Sequence, residues 1–323
     1  MSNFLIQDTT LTGIANAIRT KKGTSALIPV SDFASEISNL HDKYIITGSN
    51  LQYTAFLAYL INNGVEIDTN GVTNMTGWFY GSTIIPQVVN IKTNNVTNMS
   101  YMFAQIPIPS ALDLSSLKTS NVTNMSHMFE SCACRPLDVS GFNTSNVTDM
   151  SNMFMNLTGV QSLDITNFDT SNVVDMRNMF NDCRALTSLS LDRTKFDTQK
   201  VTTMSSMFYN CSGLTTLDVS RFSTKNVTAF TGMFRGCSSL TTLDLSLFDT
   251  RNATDMSGTF RGCSSLSSIT FGQYWKSYGY QTYTDQTTGT WTNTVTGVSY
   301  TGLQNLLVAG RTLGAIEGTW VKS

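Results

Sequence analysis

Between residues 71 and 263 the apolar positions follow a recurring phrase in which methionine precedes phenylalanine by four residues, as in NMSHMF (124–129), DMSNMF (149–154) and TMSSMF (203–208). The phenylalanines Phe79, Phe103, Phe129, Phe154, Phe180, Phe208, Phe234 and Phe260 are separated by 24, 26, 25, 26, 28, 26 and 26 residues. So steady a period is the signature of a repeat architecture. Met75, Met99, Met125, Met150, Met176, Met204, Phe230 and Met256 make a second apolar column, and Leu117, Phe142, Phe168, Phe196, Phe222 and Phe248 a third. One copy of about 26 residues buries too little apolar surface to offset its ordering entropy, so each copy must lean on its neighbours and the columns must stack. Methionine suits such a core because an unbranched, soft side chain fills uneven gaps.

Each copy also carries a leucine phrase, seen as LTTLDV (214–219), LTTLDL (240–245) and, more loosely, VQSLDI (160–165). Alternation at that spacing predicts a short strand with one buried face. The Asn-Val-Thr stretch predicts extended or turn conformation. The following Asp-Met-Ser-x-Met-Phe stretch predicts a short helix, started by Thr148, Asp149 or Ser151 and its equivalents. Gly236 and Gly262 would let the chain leave that helix. The 28-residue step carries two extra residues around LDRTKF (191–196), and the 24-residue step a shortened link around IKTNN (91–95). Such changes belong on exposed backbone.

The pattern therefore predicts an α/β repeat fold, a leucine-rich-repeat-like solenoid of about eight coils built from short parallel strands plus short helices. Four segments follow: an N-terminal helical docking module (1–43), an N-terminal cap (44–70), the solenoid (71–271) and an aromatic-rich β cap (272–323). Residues 8–20 have the spacing of an amphipathic helix, with Leu11, Ile14, Ala15 and Ile18 on one face, and residues 31–40 of a second, with Phe33, Ile37 and Leu40. YTAFLAYLINNG (53–64) has the character of a helix covering the first coil. Beyond Phe271 the Tyr-, Trp- and Thr-rich stretch predicts strands and a hairpin, followed by a helix at 301–310 and a strand at 318–321. Its aromatics close the rod, or contact a ligand through Trp275, Tyr278, Tyr280 and Tyr283.

Charge and chemistry narrow the function. A net charge of −2 with 13% charged residues leaves no basic face for nucleic acid. The first residues have no basic leader followed by an apolar run, and no span is apolar enough to insert in a membrane. Cys132, Cys183, Cys211, Cys237 and Cys263 share one slot just past the phenylalanine, which Leu157 fills in another copy, so the thiols are expected packed and reduced. Cys132, Cys134 and His127 have a spacing that suggests zinc but lack a second ligand pair. His41 and His127 are the only histidines, and no nucleophile elbow or phosphate loop occurs. No cofactor is implied. Asp113, Asp138, Asp164, Asp218 and Asp244 recur between strand leucines and should face outward in a row. As glycosidase carboxylates, neighbours in that row would sit closer than catalytic pairs do. Weak calcium binding and solvated or backbone-bonded aspartates are the other readings. Asn-x-Thr triplets such as Asn121-Val122-Thr123 match glycosylation sequons and also suit turns.

The phrase LTTLDLSLFDTRNATDMSGTFRGCSSL (240–266) resembles the BspA-like leucine-rich repeats of bacterial surface proteins, over about residues 65 to 271. That resemblance implies the repeat fold and an adhesion or interaction role without catalysis. Residues 4–37 resemble a segment at the front of tail, baseplate and fibre proteins of phages that infect Gram-positive bacteria. Together the resemblances imply a non-enzymatic virion structural protein, assembled in the bacterial cytoplasm and displaying the solenoid for host-surface adhesion. It would dock to other virion proteins through Leu11, Ile14, Ile18, Phe33 and Ile37 and touch a host glycan or protein through Asp164, Asp218, Asp244 or the C-terminal aromatics. Homo-oligomerisation stays open. The alternatives are a bacterial cell-surface adhesin and, third, a cell-wall glycosidase.

Overall fold

The computed structural model of the protein describes residues 44–45, 67–69, 71–83, 91–107, 110–192, 194–278 and 289–323. The helices expected at 8–20, 31–40 and 53–64, with the docking residues Leu11, Ile14, Ile18, Phe33 and Ile37, lie outside the described residues, as do Tyr280 and Tyr283. Two short strands, β1 (Tyr44–Ile45) and β2 (Ile67–Asp68), pair in parallel ahead of the repeats.

The repeat copies stack in register, one coil of chain per copy. A single unbroken line of parallel bridges runs through Asn74, Asn98, Asn124, Asp149, Asp175, Thr203, Ala229 and Asp255. It continues into the methionine-phenylalanine segment, which the sequence marks as helical and which is not helical. In the coil of Met125 the N–H groups of Met125, His127, Phe129 and Ser131 donate to the C=O groups of Asp149, Ser151, Met153 and Met155 in the next coil, at 3.0, 2.9, 2.9 and 2.7 Å. The intervening N–H groups turn inward: Met128, Glu130 and Cys132 donate to Met125, His127 and Phe129, three residues back, at 3.2, 3.1 and 3.1 Å. An α-helix would direct every N–H four residues back along its own chain. Here half of them bond to the neighbouring coil, so no main-chain donor in the segment is stranded.

Backbone sign makes this alternation possible. Two residues in every coil, four apart, have positive φ: Gly77 and Gly81, Tyr101 and Gln105, His127 and Ser131, Asn152 and Asn156, Asn178 and Asp182, Ser206 and Asn210, Gly232 and Gly236, Gly258 and Gly262. A helix cannot contain such residues, and most of these positions hold the glycine, asparagine or aspartate that tolerate the left-handed region.

The three apolar columns lie inside the stack. The rings from Phe79 to Phe260 form one pile with successive centroids 5.4–6.0 Å apart and planes within 9°. Such offset stacking keeps the ring faces in contact without eclipsing them. The methionine column and the third column are buried beside it. A fourth column is polar and buried: Thr69, Thr93, Thr119, Thr144, Thr170, Thr198, Thr224 and Thr250. Thr119 Oγ1 donates to Asn143 C=O at 2.9 Å and accepts from Asn143 N–H at 2.8 Å, and the pattern recurs where Thr224 meets Asp249. Thr93 and Thr250 do the same with Lys118 and Lys276, so these hydroxyls satisfy both main-chain groups of the residue above, while Thr144, Thr170 and Thr198 donate to the carbonyls of Asp169, Asp197 and Ser223.

The leucine phrase forms β3 (Ser162–Asp164), β4 (Ser188–Ser190), β5 (Thr242–Leu245) and β6 (Ser268–Phe271). They pair two by two, β3 with β4 and β5 with β6, in parallel and in register. The expected strand at 214–219 is not one, so the strand face is interrupted where the turn ladder is continuous.

The open end of the stack is covered by a change of strand direction. β9 (Gly318–Lys322) lies antiparallel on β6, followed by β7 (Thr290–Asn293) and β8 (Ser299–Thr301) in a five-stranded sheet ordered β5-β6-β9-β7-β8. Helix α1 (Leu303–Ala309), the one α-helix among the described residues, buries Leu303, Leu306 and Leu307 against this cap. An edge that would otherwise template further pairing is thereby closed.

Replacing Thr119 by valine is expected to strand the Asn143 main-chain groups and cost about 1–2 kcal/mol, while Thr119→Ser stays near wild type. Phe154→Ala, which opens a cavity in the ring pile, is expected to cost about 3–5 kcal/mol. Urea denaturation midpoints of the three variants test both.

Candidate functional site

The aspartates between strand leucines are exposed, as period-two geometry requires. Their carboxylates are not idle. Asp113 Oδ1 accepts from Ser115 N–H at 3.0 Å and Ser115 Oγ at 2.6 Å; Asp164 from Thr166 N–H and Oγ1 at 3.0 and 2.8 Å; Asp218 from Ser220 at 3.1 and 2.7 Å. Asp138 and Asp244 accept from Ser140 and Ser246 N–H, both at 2.9 Å. These are Asx turns that bend the chain off the strand. The side-chain and main-chain hydrogen bonds from Ser115 and Ser140 hold the Asp113 and Asp138 carboxyls below the usual range, and those from Thr194 do so for Asp192. At Asp164 the Thr166 main-chain N–H contributes most.

Two further Asx corners recur in the coils. Asp149 and Asp175 accept from Ser151 and Arg177 N–H, and Asp169, Asp197 and Asp249 from Ser171, Gln199 and Arg251 N–H. Carboxylates thus recur as corner pieces, whereas Asp182 accepts from the Arg184 guanidinium and Asn210 Nδ2 instead. Among the described residues, no three histidine, cysteine, aspartate or glutamate side chains converge as a metal ion would need.

The cysteines occupy core sites. Cys183, Cys211, Cys237 and Cys263 are buried, and each thiol donates to a main-chain carbonyl at 3.0–3.1 Å: Phe154, Phe180, Phe208 and Phe234 respectively. Burial pushes the Cys183 and Cys237 thiols up to about 12 and raises Cys211 well above its ordinary value. Thiols that stay protonated are poor nucleophiles. In the trio with zinc-like spacing, Cys132 and Cys134 are buried together, with Cys134 N–H donating to Cys132 Sγ at 3.3 Å. The side-chain hydrogen bond with the Cys134 thiol, and then burial, hold the Cys132 thiol high, against the Cys134 N–H, which lowers it. His127 turns elsewhere: Nδ1 meets Glu130 Oε2 at 2.6 Å and the ring stacks on Tyr101 at 4.1 Å.

Among the C-terminal aromatics proposed as ligand contacts, Trp275 requires correction. It is 2% exposed, its Nε1 donates to Ser277 Oγ at 3.0 Å, and it packs on Phe271 at 4.6 Å and Phe260 at 6.1 Å. Its N–H closes a turn to Gly272 just as Phe248 closes one to Leu245, so it is the terminal member of the third apolar column. The 27-residue interval from Phe248 was the available signal. Tyr278 lies under the Lys276 ammonium, 4.8 Å from its ring centroid, with its hydroxyl donating to Arg251 C=O at 3.2 Å.

Three features escaped the sequence reading. The buried threonine column was signalled by the recurring Asp-Thr and Asn-Thr pairs. The asparagines of the Asn-x-Thr triplets bridge coils: Asn121, Asn146, Asn226 and Asn252 donate through Nδ2 to Asn94, Ser120, Gln199 and Lys225 C=O at 2.6–2.8 Å. Tyr101 and His127, bulky residues with φ of 58° in columns otherwise filled by small or amide residues, carried no local signal.

A protein-family model described as "Mycoplasma protein of unknown function, DUF285" matches residues 52–156, 107–193 and 186–287 in three overlapping placements. This repeat family is related to the BspA-like surface repeats. No curated protein and no solved structure matches the chain.

At pH 8, Cys183, Cys211, Cys237 and Cys263 are expected not to react with an aromatic disulfide reagent in the folded protein and to react fully once it is unfolded in guanidinium. Because the Asp113, Asp138 and Asp164 carboxyls are lowered on folding, their contribution to stability is present above the ordinary carboxylate pKa and lost as pH falls through the folded value, below about pH 4. Asp→Asn at all three should flatten that acid limb of the denaturation midpoint while keeping the turns, whereas Asp164→Ala should lower the midpoint at pH 7 as well.

Proposed function

The chain belongs to this family, DUF285, and from that premise we propose that it is a non-enzymatic display protein, a leucine-rich-repeat-type solenoid that presents a rigid polar surface for adhesion to a cell. The observation that carries the proposal is the unbroken ladder from Asn74 to Asp255. A stack whose every coil is hydrogen-bonded to the next holds its outer side chains at a constant repeat, and extended repeat surfaces of this kind bind partners through many weak contacts acting together. The side chains with the most chemical potential support the same reading, since the thiols bond to core carbonyls and the carboxylates hold turns.

The setting we propose is a phage virion, in the tail, baseplate or fibre, because residues 4–37 resemble the front of such proteins. That segment would dock to the particle and the solenoid would face the host. A second reading, a bacterial cell-surface adhesin, draws its support from the family itself, which is related to repeats of bacterial surface proteins.

Mass spectrometry of purified particles and of washed cell envelopes from the same culture distinguishes the two. Recovery in the particles, abolished by deleting residues 1–40 while the remaining chain keeps its thermal transition, is the expected result; recovery in the envelopes alone supports the second setting. Fluorescently labelled full-length protein is expected to bind bacterial cells saturably, and failure to bind any cell of the producing community removes the adhesion reading.

A further inference from the structure

The link between Phe180 and Phe208 spans 28 residues where its neighbours span 26, and its structural effect is confined to one face. On the turn ladder the flanking coils stay in register: Asp175 bridges Thr203, and Phe180 N–H donates to Met207 C=O at 2.9 Å. The threonine column also holds, with Thr170 Oγ1 donating to Asp197 C=O at 2.7 Å. The extra residues are taken up just before Phe196, whose N–H closes a wider turn to Asp192 where Phe222 and Phe248 close to the third residue back.

On the strand face the coils part. Thr187 N–H reaches Gln161 C=O at 2.8 Å, and Thr241 N–H reaches Thr215 C=O at 3.2 Å. Between them, among the described residues, no main-chain hydrogen bond joins residues 187–191 to 214–219. The core is thinner there as well. Leu189, Leu191 and Leu217 are only partly buried, whereas their counterparts Leu163, Ile165, Leu243 and Leu245 are buried. The gap is a shallow depression of about 440 Å³, with Leu189 and Leu217 in its lining beside Thr187, Thr216, Asp218 and Asp244. That volume lies within the range of small-ligand sites.

The lining selects a chemistry. Carboxylates and the absence of any basic lining residue disfavour anions such as phosphates. Threonine and serine hydroxyls both donate and accept, and the parted strand segments add main-chain donors and acceptors, so a ligand able only to donate, such as an ammonium, would leave wall donors unanswered. A sugar ring carries hydroxyls that do both, together with a C–H face that matches the two leucines. We propose that the parted step between residues 187–191 and 214–219 is a saccharide-binding subsite. It rests on the reading of the chain as an adhesion protein and names the class of its ligand.

Isothermal titration of the full-length protein with maltose, cellobiose, lactose and di-N-acetylchitobiose tests it. At least one is expected to bind. Thr216→Trp, which fills the depression, should weaken binding at least about tenfold, and Asp244→Asn, which keeps its turn, should weaken it about threefold or more. Thr166→Trp, on a coil whose strand is paired, should leave it unchanged. Absence of binding by all four sugars, or wild-type binding by Thr216→Trp, overturns the proposal. Binding of tetralysine that is lost in Thr216→Trp while no sugar binds likewise overturns it, in favour of a cation site. Cell binding separates the two levels. Wild-type adhesion with no sugar binding sinks the subsite and leaves the adhesion reading, whereas sugar binding sensitive to Thr216→Trp without any cell binding sinks the adhesion reading and leaves the subsite.

Discussion

Every other feature of this structure depends on one constraint: in each methionine-phenylalanine segment alternate N–H groups must point along the stack and the rest back into the coil. In the coil of Met125 the donors of Met125, His127, Phe129 and Ser131 are spent on the next coil, and the carbonyls of Asn124, Ser126, Met128 and Glu130 receive the donors of Met99, Tyr101, Phe103 and Gln105 from the previous one. Each of these inter-coil bonds adds modestly to stability. Their geometry matters more, because it fixes which side chains face inward. Met125, Met128 and Phe129 turn to the interior and are fully buried, whereas His127 and Glu130 lie at the surface, half-buried. The ring pile and the methionine column are therefore consequences of the ladder as much as supports for it.

The same constraint explains why the thiols of Cys183, Cys211, Cys237 and Cys263 and so many of the described carboxylates are bonded to the main chain. A coil that turns sharply several times within about 26 residues exposes many main-chain groups at its corners, and short polar side chains are the cheapest way to satisfy them. Aspartate and asparagine do this from the surface, threonine from the interior, and cysteine from the slot just past the phenylalanine. Thr259 and Cys263 show both within one coil: Thr259 Oγ1 donates to Met256 C=O at 2.6 Å, with Phe230 C=O at 3.2 Å, while four residues later Cys263 Sγ donates to Phe234 C=O at 3.0 Å. Both groups serve the backbone.

Much of the fold was legible in the sequence, because columns are a linear property. The spacing of Phe79 to Phe260, the outward aspartates, the cysteine slot, the helix near 301–310 and the strand near 318–321 all have their structural counterparts. The local conformation of the repeat was not legible. Met128 and Phe129 follow Met125 by three and four residues, which is helical periodicity, and Asp149 with Ser151 looks like a helix start. Turns closing three residues back produce the same spacing, so the hydrophobic pattern cannot separate the two. The discriminating signal is positive φ at every fourth residue. It is visible where the column holds Gly232, Gly236, Gly258 and Gly262 and invisible where it holds Tyr101 and His127. Trp275 takes the closing role of the two that the pattern leaves open, for a related reason: an aromatic after the last evident repeat is ambiguous until the third column is extended by 27 residues to meet it.

A stack held on one face can afford slack on another. The turn ladder tolerates no change of register, because a one-residue slip would reverse which N–H groups point along the stack and which side chains point inward. The strand face carries no such burden, since among the described residues its parallel repeat strands pair two by two and the coils between them are already held by the turn and threonine columns. Length variation therefore collects there, as it does at the 28-residue step. What that variation changes is the separation of neighbouring coils and the exposure of the leucines beneath them, while the packed core on the opposite side stays the same. In a fold of this type, differences in surface shape from coil to coil arise most readily on the face where the backbone bonds are fewest.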